Sequence, residues 1–272
     1  MKIRSVAAAL PVALLFASPA WAQEDPPKPF TVSGSVAIVS DYRFRGVSQS
    51  DKELAVQGGL SVAHESGLYA GTWASNLAGW GTFGGSNTEL DLYAGYAREV
   101  ASGVKVDVGL TWYMYPGGAD TTDFAEGYVK LSTTLGPVNA LGGVAYAPKQ
   151  GALANVSNTP FSAGQKEDNL YLWTDFSLGI PKTPLTAKAH LGYSDGNPGL
   201  GPNGTSVAPT GNYVDWMLGL DFVAGPVTLG VSYIDTDIGK AESAYLLPNF
   251  SSTKDGSTIA GSTVVFSVSA GF

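Results

Sequence analysis

Residues 262–272 read Ser-Thr-Val-Val-Phe-Ser-Val-Ser-Ala-Gly-Phe. Val264, Phe266, Val268, Ala270 and Phe272 form one apolar row at period two. Thr263, Ser267, Ser269 and Gly271 form a small, mostly polar row between them, broken by Val265. Such alternation specifies a strand with two different solvents on its two faces. An apolar-alternating stretch that stops on an aromatic suits the closing strand of an outer-membrane barrel, because lipid tolerates no unpaired strand edge. The same stretch is expected to present Phe272 to the barrel-assembly machinery.

The other end of the chain is consistent with export. Lys2 and Arg4 precede an apolar run, Val6 to Phe16, and Ala20-Trp21-Ala22 has the small-x-small form of a cleavage site. Residues 1–22 read as a signal peptide and 23–272 as the mature domain. The apolar run is shorter than the about 20 residues a spanning helix needs. The chain has no Cys, so no disulfide framework is available. It has 35 Gly and, with 13 Tyr, 11 Phe and 6 Trp, a high aromatic content. Glycine and girdling aromatics are characteristic of membrane barrels. Mean hydropathy is +0.07, as expected when each strand faces lipid on one side and water on the other. Of the 15 basic residues, two lie in the leader, leaving 13 against 23 acidic residues, a net −10. That charge argues against nucleic acid and against docking on anionic lipid through a basic patch.

Twelve alternating segments follow, roughly 31–45, 52–65, 67–78, 88–100, 104–116, 123–135, 138–147, 168–180, 184–194, 212–223, 225–235 and 261–272. In the first, Phe30, Val32, Val36, Ile38, Tyr42 and Phe44 share one face, and Ser33, Ser35, Asp41, Arg43 and Arg45 the other. In the fifth, Val104, Val106, Val108, Leu110, Trp112 and Met114 oppose Lys105, Asp107, Thr111, Tyr113 and Tyr115. Ala and Gly blur the faces of the third and seventh. Short connections (65–67, 101–103, 136–137, 181–184, 225–226) alternate with longer ones (46–51, 79–87, 117–122, 148–167, 195–211, 236–260). This is the asymmetry of short periplasmic turns and long external loops. The expected fold is all-β: an antiparallel up-and-down transmembrane barrel of about 12 strands, in the outer membrane of a Gram-negative bacterium.

Ser40-Asp41-Tyr42-Arg43-Phe44-Arg45-Gly46-Val47-Ser48-Gln49-Ser50 resembles the opening motif of the TorF family of proteobacterial porins. Gln57-Gly58-Gly59, Ser66 to Trp73 and Glu89-Leu90-Asp91 resemble its continuation. The resemblance covers residues 32 to 100 and implies a porin-like barrel, with no particular solute.

In a barrel, inward residues line any path. Asp41, Arg43 and Arg45 are expected near the external end of the first strand, facing in, and Glu89 and Asp91 at the external end of the fourth, also on the polar face. Tyr113, Tyr115, Glu126, Tyr171 and Asp215 are expected at upper or middle depth. Bases facing acids across a lumen make a polar constriction. Alternatively, Arg43 and Arg45 pair with Glu89, Asp91 or Glu53 and only brace the wall. Inward Tyr113, Tyr115, Tyr171 and Trp173 suit lumen filling or, less economically, a sugar-binding slide. Tyr42, Phe44, Trp112, Trp216, Phe222 and Phe272 are expected outside, as girdle residues.

The expected function is passive diffusion of small polar solutes, mildly cation-preferring. The competing readings are a closed barrel that presents its loops, and an outer-membrane lipid enzyme. His64-Glu65-Ser66 superficially matches a lipid deacylase motif, but it falls in a short turn on the wrong side of the membrane. His190 reads as a lumen histidine. No H-E-x-x-H or phosphate loop is present. The residues indicate no catalytic group, metal or cofactor.

Overall fold

A computed structural model describes residues 29–154, 160, 162–196, 207 and 209–272. The leader and parts of the connections 148–167 and 195–211 lie outside the described residues. The strands are β1 (Phe30–Val39), the two-residue β2 (Arg43–Phe44) and β3 (Val47–Ser48), β4 (Ala55–His64), β5 (Leu68–Asn76), β6 (Thr88–Ala101) and β7 (Val104–Met114). They continue as β8 (Phe124–Leu135), β9 (Val138–Gln150), β10 (Glu167–Gly179), β11 (Leu185–Gly196), β12 (Asn212–Ala224), β13 (Val227–Thr236) and β14 (Thr263–Gly271). All but β2 and β3 form a closed barrel of twelve strands, each antiparallel to its chain neighbour.

Closure occurs between β1 and β14. Val36 sits opposite Ala270 and Ile38 opposite Val268. Beyond the last strand residue, Phe272 N donates to Gly34 O at 3.0 Å and Gly34 N to Phe272 O at 2.9 Å. The terminal residue therefore completes the ladder that leaves no free edge. Its ring lies across Gly34, where a Cβ would come within 2.3 Å of it.

The period-two pattern sorts the faces as read. Val264, Phe266, Val268, Leu110, Trp112, Leu218 and Phe222 are exposed on the outer surface, whereas Thr111, Tyr113, Tyr213 and Asp215 are buried inside. Apolar outside and polar inside is the inverse of a soluble barrel, and it is stable only against hydrocarbon. No helix of the described residues is long and apolar enough to cross a membrane. In β9, the strand whose faces Ala and Gly blur, Ala145 and Ala147 point inward and Val144 and Tyr146 outward.

One expectation fails. The first strand ends at Val39, not at residue 45. The wall resumes at Ala55, directly opposite Val39. Between them the chain leaves the wall after Ser40, which still bonds Phe266 O on β14, and residues 41–51 fold into the barrel, at the end that carries the long connections, before the exposed Glu53 and Leu54 return it to the wall. Tyr42 is consequently 6% exposed and Phe44 half-buried against the lumen cluster. Neither is a girdle residue.

Candidate functional site

The inward segment is a miniature hairpin, β2 and β3, with Arg43 opposite Ser48 and Phe44 opposite Val47. Its tip is Arg45-Gly46, with φ of 48° and 80°. Positive φ at both central residues is what a two-residue type I′ turn requires. Gly46 is needed for space as well: a Cβ there would meet Thr236 Cγ2 at 2.3 Å, so the tip packs against the end of β13. Asp41 fixes the base of the hairpin. It accepts from Arg43 Nε at 2.8 Å and from Ser48 Oγ at 2.5 Å.

From this scaffold three side chains reach different strands. Arg45 donates through Nη2 to both carboxylate oxygens of Glu126 on β8, at 2.6 and 2.7 Å, and through Nη1 to Asn169 Oδ1 on β10. Its guanidinium lies 4.0 Å from the Tyr171 ring centroid and 4.8 Å from that of Phe44. Serving Glu126 from one nitrogen and Asn169 from another while stacked on a ring, this planar group suits arginine and not lysine. Burial opposes the charge on Arg45, but Glu126 holds its pKa above the ordinary value. Arg43 donates through Nη1 to Gly261 O, just before β14. The Tyr42 hydroxyl donates to Glu89 Oε2 on β6 at 2.9 Å. Burial, with the charges of Glu89 and Asp91, pushes that hydroxyl well above its usual pKa, so it stays a donor. The hairpin thus spans the lumen as a plug.

Over the plug lies an apolar cap. Val47, Trp80, Tyr213, Ile238, Leu246, Phe250, Ile259 and Ala260 pack as one buried cluster, with Trp80 and Phe250 edge to face at 4.8 Å. Backbone bonds tie plug to cap: Ser48 N donates to Ile259 O and Ala78 N to Gln49 O.

Along the rest of the bore, charges are paired in layers. Lys130 meets Asp107 at 3.1 Å and Lys188 meets Asp221 at 2.8 Å. His190 bridges Asp175 and Asp215, at 2.6 and 3.1 Å, and shares the Tyr171 hydroxyl. Broad rings lie over cross-strand glycines on the same wall. Tyr171 covers Gly192 and Trp173 covers Gly143, each so closely that a Cβ would overlap the ring.

The structure therefore brings together Arg45, Glu126, Tyr171 and Tyr113, whose hydroxyl is 3.3 Å from Glu126 Oε2. It also brings Glu89 to Tyr42 and Tyr115, and Asp215 to His190. The pairing of Arg43 and Arg45 with Glu89, Asp91 or Glu53 does not occur: Arg43 takes Asp41, Arg45 takes Glu126, and Glu53 meets Lys254. Tyr42, Asn169, Trp73 and the bridging role of His190 were missed. The available signal was length, since an unbroken strand over 31–45 exceeds the roughly ten residues a tilted crossing needs. His64 Nδ1 lies 2.8 Å from Ser66 Oγ as a local turn contact, with the His64 ring against Phe30. Among the described residues, no three His, Asp or Glu converge as a metal site would require.

The family described as a bacterial protein of unknown function, Gcw_chp, matches residues 23–272, and the chain belongs to it. Among solved structures, the NanC porin aligns with a TM-score of 0.54 at 11% identity, covering 89% of this chain and 99% of that one. The outer-membrane channel DcaP of Acinetobacter baumannii aligns at 0.41, with 10% identity over 89% of this chain and 97% of that one. The anion-selective porin from Comamonas acidovorans aligns at 0.38, with 11% identity over 89% and 98%. At such identities the likeness to the NanC porin speaks to fold alone. No curated protein matches.

Proposed function

We propose that this member of the Gcw_chp family is an outer-membrane channel of restricted bore, passing small polar solutes by passive diffusion when the 41–51 plug shifts. In this reading residues 1–22 are the cleaved leader, the long connections face outward, and the strand ending at Phe272 is what the barrel-assembly machinery receives. The TorF-like motif at 40–50 is then the plug itself.

The observation that carries the reading is how the bore is filled. Eight-stranded barrels are narrow enough to be filled by their own side chains, whereas wider ones are not. Here a separate hairpin closes a polar lumen, held through Arg45, Arg43 and Tyr42. Asp41, Arg43, Arg45, Glu89, Asp91 and Glu126 form the constriction, and Tyr113, Tyr115, Tyr171 and Asp215 frame it.

The apolar cap favours a second reading, a permanently closed barrel that displays its loops. Planar-bilayer recording decides between them. The channel reading expects conductance in KCl, larger when residues 41–53 are replaced by an Asn-Gly turn. Absence of events from both proteins, with the barrel folded by heat-modifiable gel mobility, would establish the closed barrel.

A further inference from the structure

Two lumen carboxylates differ from all the others just described. Asp107, Glu126, Asp175, Asp215 and Asp221 each reach a basic side chain. Glu89 and Asp91 reach none among the described residues. They sit two apart on β6, so both point inward, and they are 2% and 1% exposed. Glu89 accepts from the hydroxyls of Tyr42 and Tyr115. Asp91 has no donor to either oxygen among the described residues. A buried carboxylate with neither a hydrogen bond nor a counter-charge is rare, because both the polarity and the charge go uncompensated.

The surroundings indicate what would compensate it. The cross-strand partners of Asp91 are Trp73 on β5 and Tyr113 on β7, so their rings flank it on the same face. Tyr42 lies edge-on to Trp73 at 5.4 Å. Carboxylates among aromatic faces attract a weakly hydrated cation, through charge and through the ring quadrupoles. A hard metal ion needs a shell of several oxygens, and this wall offers only two carboxylates.

We propose that Glu89 and Asp91, flanked by Trp73 and Tyr113 and covered by Tyr42, form a binding site for small organic ammonium cations. The cation takes the place of the Tyr42 hydroxyl at Glu89 and gives Asp91 its counter-charge. For a transported solute this rests on the channel reading; for binding it does not.

The test is isothermal titration calorimetry of the refolded full chain in zwitterionic detergent. Butylammonium chloride is exchanged for sodium chloride at constant ionic strength. Saturable binding is expected, weakened about tenfold or more by Asp91→Asn and strengthened by Tyr42→Phe, which keeps the ring but frees Glu89. Heat-modifiable mobility verifies that each variant is folded; should Asp91→Asn not fold, Glu89→Gln takes its place with the same expected loss. No saturable binding to the wild type, unchanged binding in the folded acid variant, or equal competition by potassium would each overturn the site. Binding without KCl conductance would keep the site and remove the channel reading; conductance without binding would do the reverse.

Discussion

Arg45→Ala attacks the contact on which plug seating depends. The guanidinium makes two charge-assisted bonds to Glu126 and one to Asn169, and it stacks on Tyr171, with Arg45 and Glu126 each 3% exposed. Truncation leaves the Glu126 carboxylate buried without its cation, a loss of about 3–5 kcal/mol for a pair of this kind. That loss falls on the seated state alone, because Glu126 regains water when the hairpin leaves. At about 1.4 kcal/mol per tenfold, the ratio of open to closed dwell times should rise by roughly two to three and a half decades. Single-channel recording of the variant and the wild type in the same KCl solution measures it. The double replacement Arg45→Met with Glu126→Leu removes both charges together, so the closed state should recover much of its weight. A folded Arg45→Ala barrel with dwell ratios within about threefold of wild type would refute the view that this ion pair seats the plug.

Three further outcomes are expected. Trypsin on intact cells should cut after the exposed Lys166 and Lys240 in long connections, and reach exposed Lys182, in a short turn, only once the outer membrane is broken; the opposite order would invert the orientation. Deleting Phe272 removes both backbone bonds to Gly34, about 1 kcal/mol each, and should lower the yield of heat-modifiable folded barrel, an effect that an unchanged yield would disprove. Neutralising Glu89 and Asp91 together should reduce the cation preference measured by reversal potentials in asymmetric KCl; anion preference in the wild type would overturn the charge argument.

The wall was legible because its pattern is imposed at every residue by two solvents. Asp107, Thr111 and Tyr113 had to alternate with Val108, Leu110 and Trp112, whatever strand lay next to them. The plug was not legible, for a related reason. Tyr42 and Phe44 continue the phase of Val36 and Ile38, and period two states which side a residue faces but not where the strand leaves the wall. Inside a narrow bore, both faces of a hairpin meet protein, so the meaning of an apolar row changes without any change in spacing. The inward positions of Glu126, Tyr171 and Asp215 followed from their strands. The choice of Glu126 by Arg45 did not, because it depends on how far the hairpin reaches across the barrel. His190 was placed inside correctly, but its bridge between Asp175 and Asp215 joins three residues on neighbouring strands, which no local pattern reports.

Val39 and Ala55 face each other across a single rung, and the whole excursion between them hangs from that rung. Beyond Ser40, whose N still donates to Phe266 O on β14, no main-chain bond of the twelve-strand ladder passes through it. The wall and its stopper are therefore separable inheritances: the cylinder is specified by strands that need never agree with the insert, and the insert can be exchanged, lengthened or lost at one hairpin position without shifting any register.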